Sequence, residues 1–191
     1  MIPFTKKLTL VMTLLLSSSS LMAEVKLPQL FADHMVLQRN KPIKIWGSSK
    51  EKEKVSLQFA GKKIQIRAND DGKWQVTLPA QKTNSKGQKL IIKGRSNKII
   101  LKDILIGEVW FCAGQSNMES PINHNKDCTE IIAQSTNDQI RLASVHTGTS
   151  STPLTNFIKF NTWRLSSPKG LQCGVEGKRY ISAVAYCFAK E

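Results

Sequence analysis

Val109-Trp110-Phe111-Cys112-Ala113 followed by Gly114-Gln115-Ser116-Asn117-Met118 is the stretch on which the reading of this chain turns. Val109, Phe111 and Ala113 alternate with Trp110 and Cys112, so a strand here is apolar on both faces. Such a strand belongs in a sheet covered on both sides, which usually means a parallel α/β sheet. A serine at its carboxyl end stands where α/β enzymes place reactive groups. Downstream, Thr129 to Gln134 reads as a short helix and Ile140 to Val145 as a neighbouring strand, giving a strand-helix-strand unit. Ile181, Val184, Ala185 and Phe188 fall at i, i+3, i+4 and i+7, the spacing of an amphipathic helix.

Upstream, from Val25 to Leu105, the punctuation is that of an antiparallel β domain. Met35 to Leu37, Ile43 to Trp46, Val55 to Phe59, Ile64 to Ile66, Trp74 to Leu78 and Leu90 to Ile92 are short and mostly alternating. Turn signals such as Pro42, Gly47-Ser48-Ser49, Ala60-Gly61 and Ser85-Lys86-Gly87 separate them. Alternation puts apolar side chains on one sheet face and polar ones on the other, and this spacing of strands predicts a β-sandwich. Asp71-Gly72 reads as a hairpin between Ile64-Gln65-Ile66 and Trp74-Gln75-Val76. A calcium loop at Asn69-Asp70-Asp71 is not expected, because the remaining loop positions do not follow.

Met1 to Ala23 has a basic start at Lys6 and Lys7, a short apolar core from Leu8 to Leu16, and a small residue at its end. That order is a secretory signal with cleavage after Ala23. The apolar core is well short of the roughly 20 residues that span a bilayer. The mature chain is therefore expected to be exported, periplasmic or secreted, with no stable membrane insertion. The composition is globular, 40% hydrophobic and 22% charged, with a net charge of +14. That charge raises a polyanion partner. The lysines are scattered among strands with no basic helix and no aromatic interleaving, so solvated faces are expected and nucleic-acid binding is not. The four cysteines are Cys112, Cys128, Cys173 and Cys187. They can pair in an oxidising compartment, although Cys112, inside the apolar run, reads as a buried free thiol. Their spacings make no zinc pattern, and His34, His124 and His146 are isolated. No metal and no cofactor are expected.

The chemistry centres on Ser116. Its hydroxyl is a weak nucleophile until a base takes its proton and donors meet the oxyanion. Gly114 lets the backbone approach an ester, a helix opening at the serine aims amides at developing charge, and Gln115 and Asn117 can orient the loop. Thr147 to Gly177, rich in Ser, Thr, Pro, Asn and Gly, reads as an irregular site loop. Within it Trp163 is either a sugar platform or a packing anchor.

Gly107-Glu108-Val109-Trp110 with Gly114-Gln115-Ser116-Asn117-Met118-Glu119 resembles the first conserved block of the sialate O-acetylesterase family of SGNH-type carbohydrate esterases. Leu27 to Arg39, Pro42-Ile43, Trp46-Gly47, Asp71-Gly72-Lys73-Trp74 and Ile181 to Tyr186 are similar to that family as well. The resemblance implies a β-sandwich over 24–105 after a signal peptide at 1–23. It also implies that 106–191 is the first part of a flavodoxin-like, three-layer α/β SGNH-hydrolase domain. By the same resemblance Ser116 is the nucleophile, its own N–H an oxyanion donor, and an acetylated carbohydrate the substrate. The family's further blocks, including the histidine base of Asp-x-x-His, are expected beyond Glu191. Ser120-Pro121 departs from a common family tryptophan, so a pocket wall differs. His124, without an orienting carboxylate beside it in sequence, reads as a surface histidine rather than a replacement base. A partial α/β sheet would leave Trp110 and Phe111 exposed. The alternative function is a non-enzymatic exported β-sandwich module that binds carbohydrate; the oligomeric state is left open.

Overall fold

The computed structural model describes residues 24–145, 148–154, 156–173 and 179–191, with backbone alone at 173 and 179. The secretory signal expected over 1–23 lies outside the described residues, as does the side chain of Cys173.

The first half is built from β1 (Val36–Gln38), β2 (Ile43–Ser48), β3 (Lys54–Phe59), β4 (Lys62–Arg67), β5 (Lys73–Leu78), β6 (Asn84–Lys93) and β7 (Lys98–Gly107). A curled mixed sheet runs in the order β1-β7-β6-β3-β4, and β2 pairs with β5 in a second, two-stranded sheet. Alternation decides which side chains enter the core. Val55, Leu57 and Phe59 of β3 and Trp74, Val76 and Leu78 of β5 are buried, and they share one core with Ile43, Ile45, Leu90, Ile92, Ile104 and Ile106. Ala60 and Gly61 reverse the chain between β3 and β4 with φ of 48° and 74°, the left-handed pair that a tight strand turn requires.

Asp71-Gly72 does not make the expected hairpin. Ile64 and Ile66 stand opposite Leu57 and Val55, while Trp74 and Val76 stand opposite Gly47 and Ile45. The turn therefore carries the chain from one sheet to the other. Gly72 is required there: its φ is +71°, and a Cβ would sit 2.3 Å from the Ser49 carbonyl oxygen.

The second half contains α1 (Ser116–Glu119), a 3₁₀ turn (Ile122–His124), α2 (Cys128–Ala133), β8 (Asn137–Val145), β9 (Phe160–Ser166), β10 (Gln172–Cys173), β11 (Arg179–Tyr180) and α3 (Ala183–Lys190). The flavodoxin-like three-layer α/β arrangement is overturned here. The molecule is mostly β with few, short helices, and β8 pairs antiparallel with β9 rather than parallel with a strand at 109–113. Val109 to Ala113 joins no ladder, because the last paired residue of β7 is Gly107, opposite Gln38, and β8 takes β9 instead. Apolarity without a hydrogen-bonding neighbour does not make a strand. Trp110 is 67% and Phe111 86% exposed, and Cys112 is an exposed free thiol rather than a buried one. The strand-helix-strand unit thus lacks its first strand, and β9 occupies part of the stretch expected to be irregular. Residues 146–147, 155 and 174–178 of that neighbourhood lie outside the described residues.

A smaller core of Ile122, Leu142, Leu171, Ile181, Ala183 and Tyr186 holds the second half together. Among the described residues, several contacts tie it to the first, the Gln29 amide donating to Asn156 Oδ1 at 3.2 Å being one. Trp163 donates its indole N–H to the Leu30 carbonyl at 2.9 Å, and Arg141 donates to the Asp103 carboxylate at 3.0 Å. The Arg141 side chain is only 3% exposed. Asp103 also meets His34 Nδ1 at 2.8 Å, and both residues hold left-handed backbone, with φ of 54° and 65°. Among the described residues, no helix is long and apolar enough to cross a membrane.

Removing one partner from a buried charge leaves the other desolvated and unpaired. Asp103→Asn, which tolerates left-handed φ, is expected to cost about 2 kcal/mol or more in urea denaturation. Asp103→Ala is expected to cost about 1 kcal/mol beyond that from backbone strain. Equal stability of the asparagine variant and the parent would remove Arg141 as a tie between the halves.

Candidate functional site

The serine turn begins where β7 ends, and the exit is held by residues far away in sequence. The Arg39 amide donates to the Gly107 carbonyl at 2.9 Å. Gln38 Nε2 donates to Glu108 Oε2 at 2.7 Å, and its Oε1 accepts the Val109 N–H at 2.9 Å. Arg39 Nε donates to Glu108 Oε1, and its Nη1 reaches Thr83 Oγ1 at 3.2 Å. The Gln38 hydrogen bond first, and then Arg39, hold the Glu108 carboxyl below its ordinary value of 4.5. Residue-level reasoning from the sequence missed this clamp. Its signal was that Gln38-Arg39 and Glu108 both fall inside the quoted motifs.

Beyond the clamp the apolar run crosses open surface, where Trp110 packs edge-on to Phe188 of α3, ring centroids 5.1 Å apart. Gly114 then turns the chain tightly: a Cβ would lie 2.8 Å from Met118 Cβ. Ser116 opens α1 with its side chain exposed. The turn is organised by main-chain carbonyls. Gln115 O accepts the Met118 and Glu119 amides at 2.8 and 3.1 Å, and Asn117 O accepts the Ser120 amide at 3.3 Å. The Gln115 side chain makes no cap bond. The turn is strapped to the start of α3, because Ser182 Oγ donates to the Met118 sulfur at 3.3 Å and the Ala183 amide donates to Ser120 O at 2.9 Å.

A groove of about 1380 Å³ opens beside this turn, lined among others by Trp110, Phe111, Gly114, His124, Trp163 and Phe188. That exceeds the roughly 300–1,000 Å³ of a small-molecule pocket, and the groove is open to solvent. Gly114 and Trp163 share it, whereas Gln115, Ser116 and Asn117 lie outside its lining. Trp163 is half-buried, with its ring against the first core and its N–H spent on Leu30. His124 lies at the end of the 3₁₀ turn, exposed, and among the described residues no carboxylate orients its ring. The histidine that does hold a carboxylate is His34, which is not part of the groove. Among the described residues no cluster of three or more His, Cys, Asp or Glu could hold a metal.

The chain is similar in fold and sequence to the solved structure of a carbohydrate acetylesterase from Xanthomonas citri. The TM-score is 0.79 and the identity 31%, over 87% of this chain and 36% of that one. The chain thus spans about a third of that enzyme's length. No protein-family model and no curated protein matches it.

A carboxyl with a lowered folded-state pKa stabilises above the ordinary value, and that contribution is lost as pH falls through the lowered one. The Glu108 clamp is therefore intact above about pH 4.5 and released in more acid solution. Glu108→Gln is expected to flatten the fall of melting temperature between about pH 5 and pH 3. Superimposable profiles for parent and variant would show that the clamp contributes nothing to folding.

Proposed function

We propose that this chain carries the nucleophile of an exported carbohydrate acetylesterase acting on O-acetylated sugars such as sialic acids. The observation that carries this reading is the exposed Ser116 at the opening of α1, in a chain that shares its fold with a carbohydrate acetylesterase. Ser116 Oγ attacks the acetyl carbonyl carbon while a base takes its proton, and the Ser116 N–H donates to the oxyanion. Collapse breaks the bond to the sugar oxygen, which leaves protonated as the free hydroxyl. Water then cleaves the acetyl-serine to acetate. Gly114 keeps the turn close to Met118, and the Glu108 clamp fixes where the turn starts. The leader-like segment at 1–23 supports export. Trp163, on the groove wall, is the aromatic residue placed to meet the sugar.

A second reading, a non-catalytic exported module that binds carbohydrate, draws on one observation: no carboxylate-oriented imidazole lines the groove among the described residues. Acetate release from O-acetylated sialic acid by the native product separates the two. Ser116→Ala is expected to abolish turnover and labelling by a fluorophosphonate while leaving the fold intact. His124→Ala is expected to keep turnover within a few-fold, against the roughly 10²- to 10⁴-fold loss that removal of a general base brings. Turnover undiminished in Ser116→Ala would take the serine out of the mechanism. Glycan binding with no turnover in the parent would favour the second reading.

A further inference from the structure

The solvent face of the five-stranded sheet collects charge in a way that scattered lysines in the sequence do not suggest. Strand register sets its rows. Lys98 stands opposite Lys93, and Lys93 opposite Ser56, which in turn faces Gln65. The next row toward the sheet end pairs Lys54 with Arg67, and the antiparallel register carries Arg95 to the same end. The row on the other side pairs Ile91 with Ile100 and Gln58 with Lys63. Lys54, Arg67, Lys93, Arg95 and Lys98 are all exposed, and among the described residues none of them has a carboxylate ion-pair partner.

The cationic end of this face is concave. A cavity of about 540 Å³ is lined there by Lys50, Lys52, Lys54, Arg67 and Arg95, together with Glu51 and Glu53. Glu53 is engaged within this wall, its oxygens accepting the Arg95 and Lys50 amides at 2.6 and 3.1 Å. Lys52 meets Asp70 at 3.2 Å. Arg67 is held in place by its donation to the Lys52 carbonyl at 2.8 Å, so its guanidinium is positioned before any ligand arrives.

We infer that this face binds a carboxylated polysaccharide, with Lys54, Arg67, Lys93, Arg95 and Lys98 on its carboxylates, Ser56, Gln58 and Gln65 on its hydroxyls, and Ile91 and Ile100 under its ring faces. Lys93 with Lys98, and Lys54 with Arg67, stand on neighbouring strands about 4.8 Å apart, which suits a chain that carries one carboxylate on each sugar. Among the described residues, the strands of this face present no exposed aromatic side chain on which a nucleobase could stack, the usual platform for single-stranded nucleic acid. The inference stands on the sheet and not on Ser116; it concerns where a glycan chain is held, whatever happens at the serine turn.

The probe is polygalacturonate, titrated onto the whole chain at about 50 mM salt, with its fully methyl-esterified form and a DNA duplex beside it. Polygalacturonate is expected to bind, to be released at about 500 mM salt as the charges are screened, and to bind at least about tenfold more weakly to Arg67→Glu/Lys93→Glu. Lys44→Glu, an exposed lysine of β2 outside this sheet, is expected to bind like the parent. If the double variant melts early, Lys93→Glu alone carries the test, since among the described residues the exposed Lys93 side chain makes no hydrogen bond or ion pair and only its main chain is in the ladder. The inference is overturned if the methyl ester binds equally, if Lys44→Glu loses as much as the double variant, or if DNA binds as tightly with the same sensitivity.

Discussion

Everything beyond Gly107 depends on where β7 is allowed to end. Its last residues, Ile104, Leu105 and Ile106, are all buried, and parallel pairing with β1 fixes them laterally, Val36 opposite Leu105 and Gln38 opposite Gly107. A strand held by core burial on one side and by a neighbour's ladder on the other cannot slip register without exposing that burial. The Gln38, Arg39 and Glu108 side chains then extend the grip past the last ladder bond. The serine turn is consequently aimed by residues some seventy positions earlier in the chain, and it is received at the other end by the start of α3.

The second half is anchored differently. Its own core is small, and buried polar bonds supplement it: Ser166 Oγ donates to Ser135 O at 2.5 Å and meets the Tyr186 hydroxyl at 3.1 Å. Such bonds specify one packing, because breaking them leaves polar atoms without partners away from water. The ties to the first half, Arg141 to Asp103 and Trp163 to Leu30, land on the loop after Pro28 and on a left-handed kink of β7. One long strand therefore organises both the serine turn and the seat of β8.

The strands with clean alternation were legible in the sequence. Ile43 and Ile45, Val55, Leu57 and Phe59, and Trp74, Val76 and Leu78 each enter the core as their spacing demands. β7 was not, because the kink at Asp103 breaks the period and is followed by three consecutive buried residues. The error at Val109 to Ala113 has a physical source: a run of apolar side chains states a demand for burial and says nothing about which neighbour supplies the hydrogen bonds. The turn around Ser116 was visible as a motif. Its support was not, since the contact between Gln38 and Glu108 is long-range and polar, and no periodicity records it. Trp163 sits on a strand whose exposure does not alternate cleanly, which hid β9 within a loop-like composition.

The exposed indole of Trp110 gives the molecule a built-in optical readout. Trp74 is 4% exposed and Trp110 67% exposed, so the two emit from opposite solvent environments in one spectrum. Whatever settles into the groove dries the ring of Trp110 and moves its fluorescence to the blue, while Trp74, sealed between the sheets, stays as an internal reference. Trp46 and Trp163 emit beside them, so the part of the blue shift that Trp110→Phe removes is the signal of the groove.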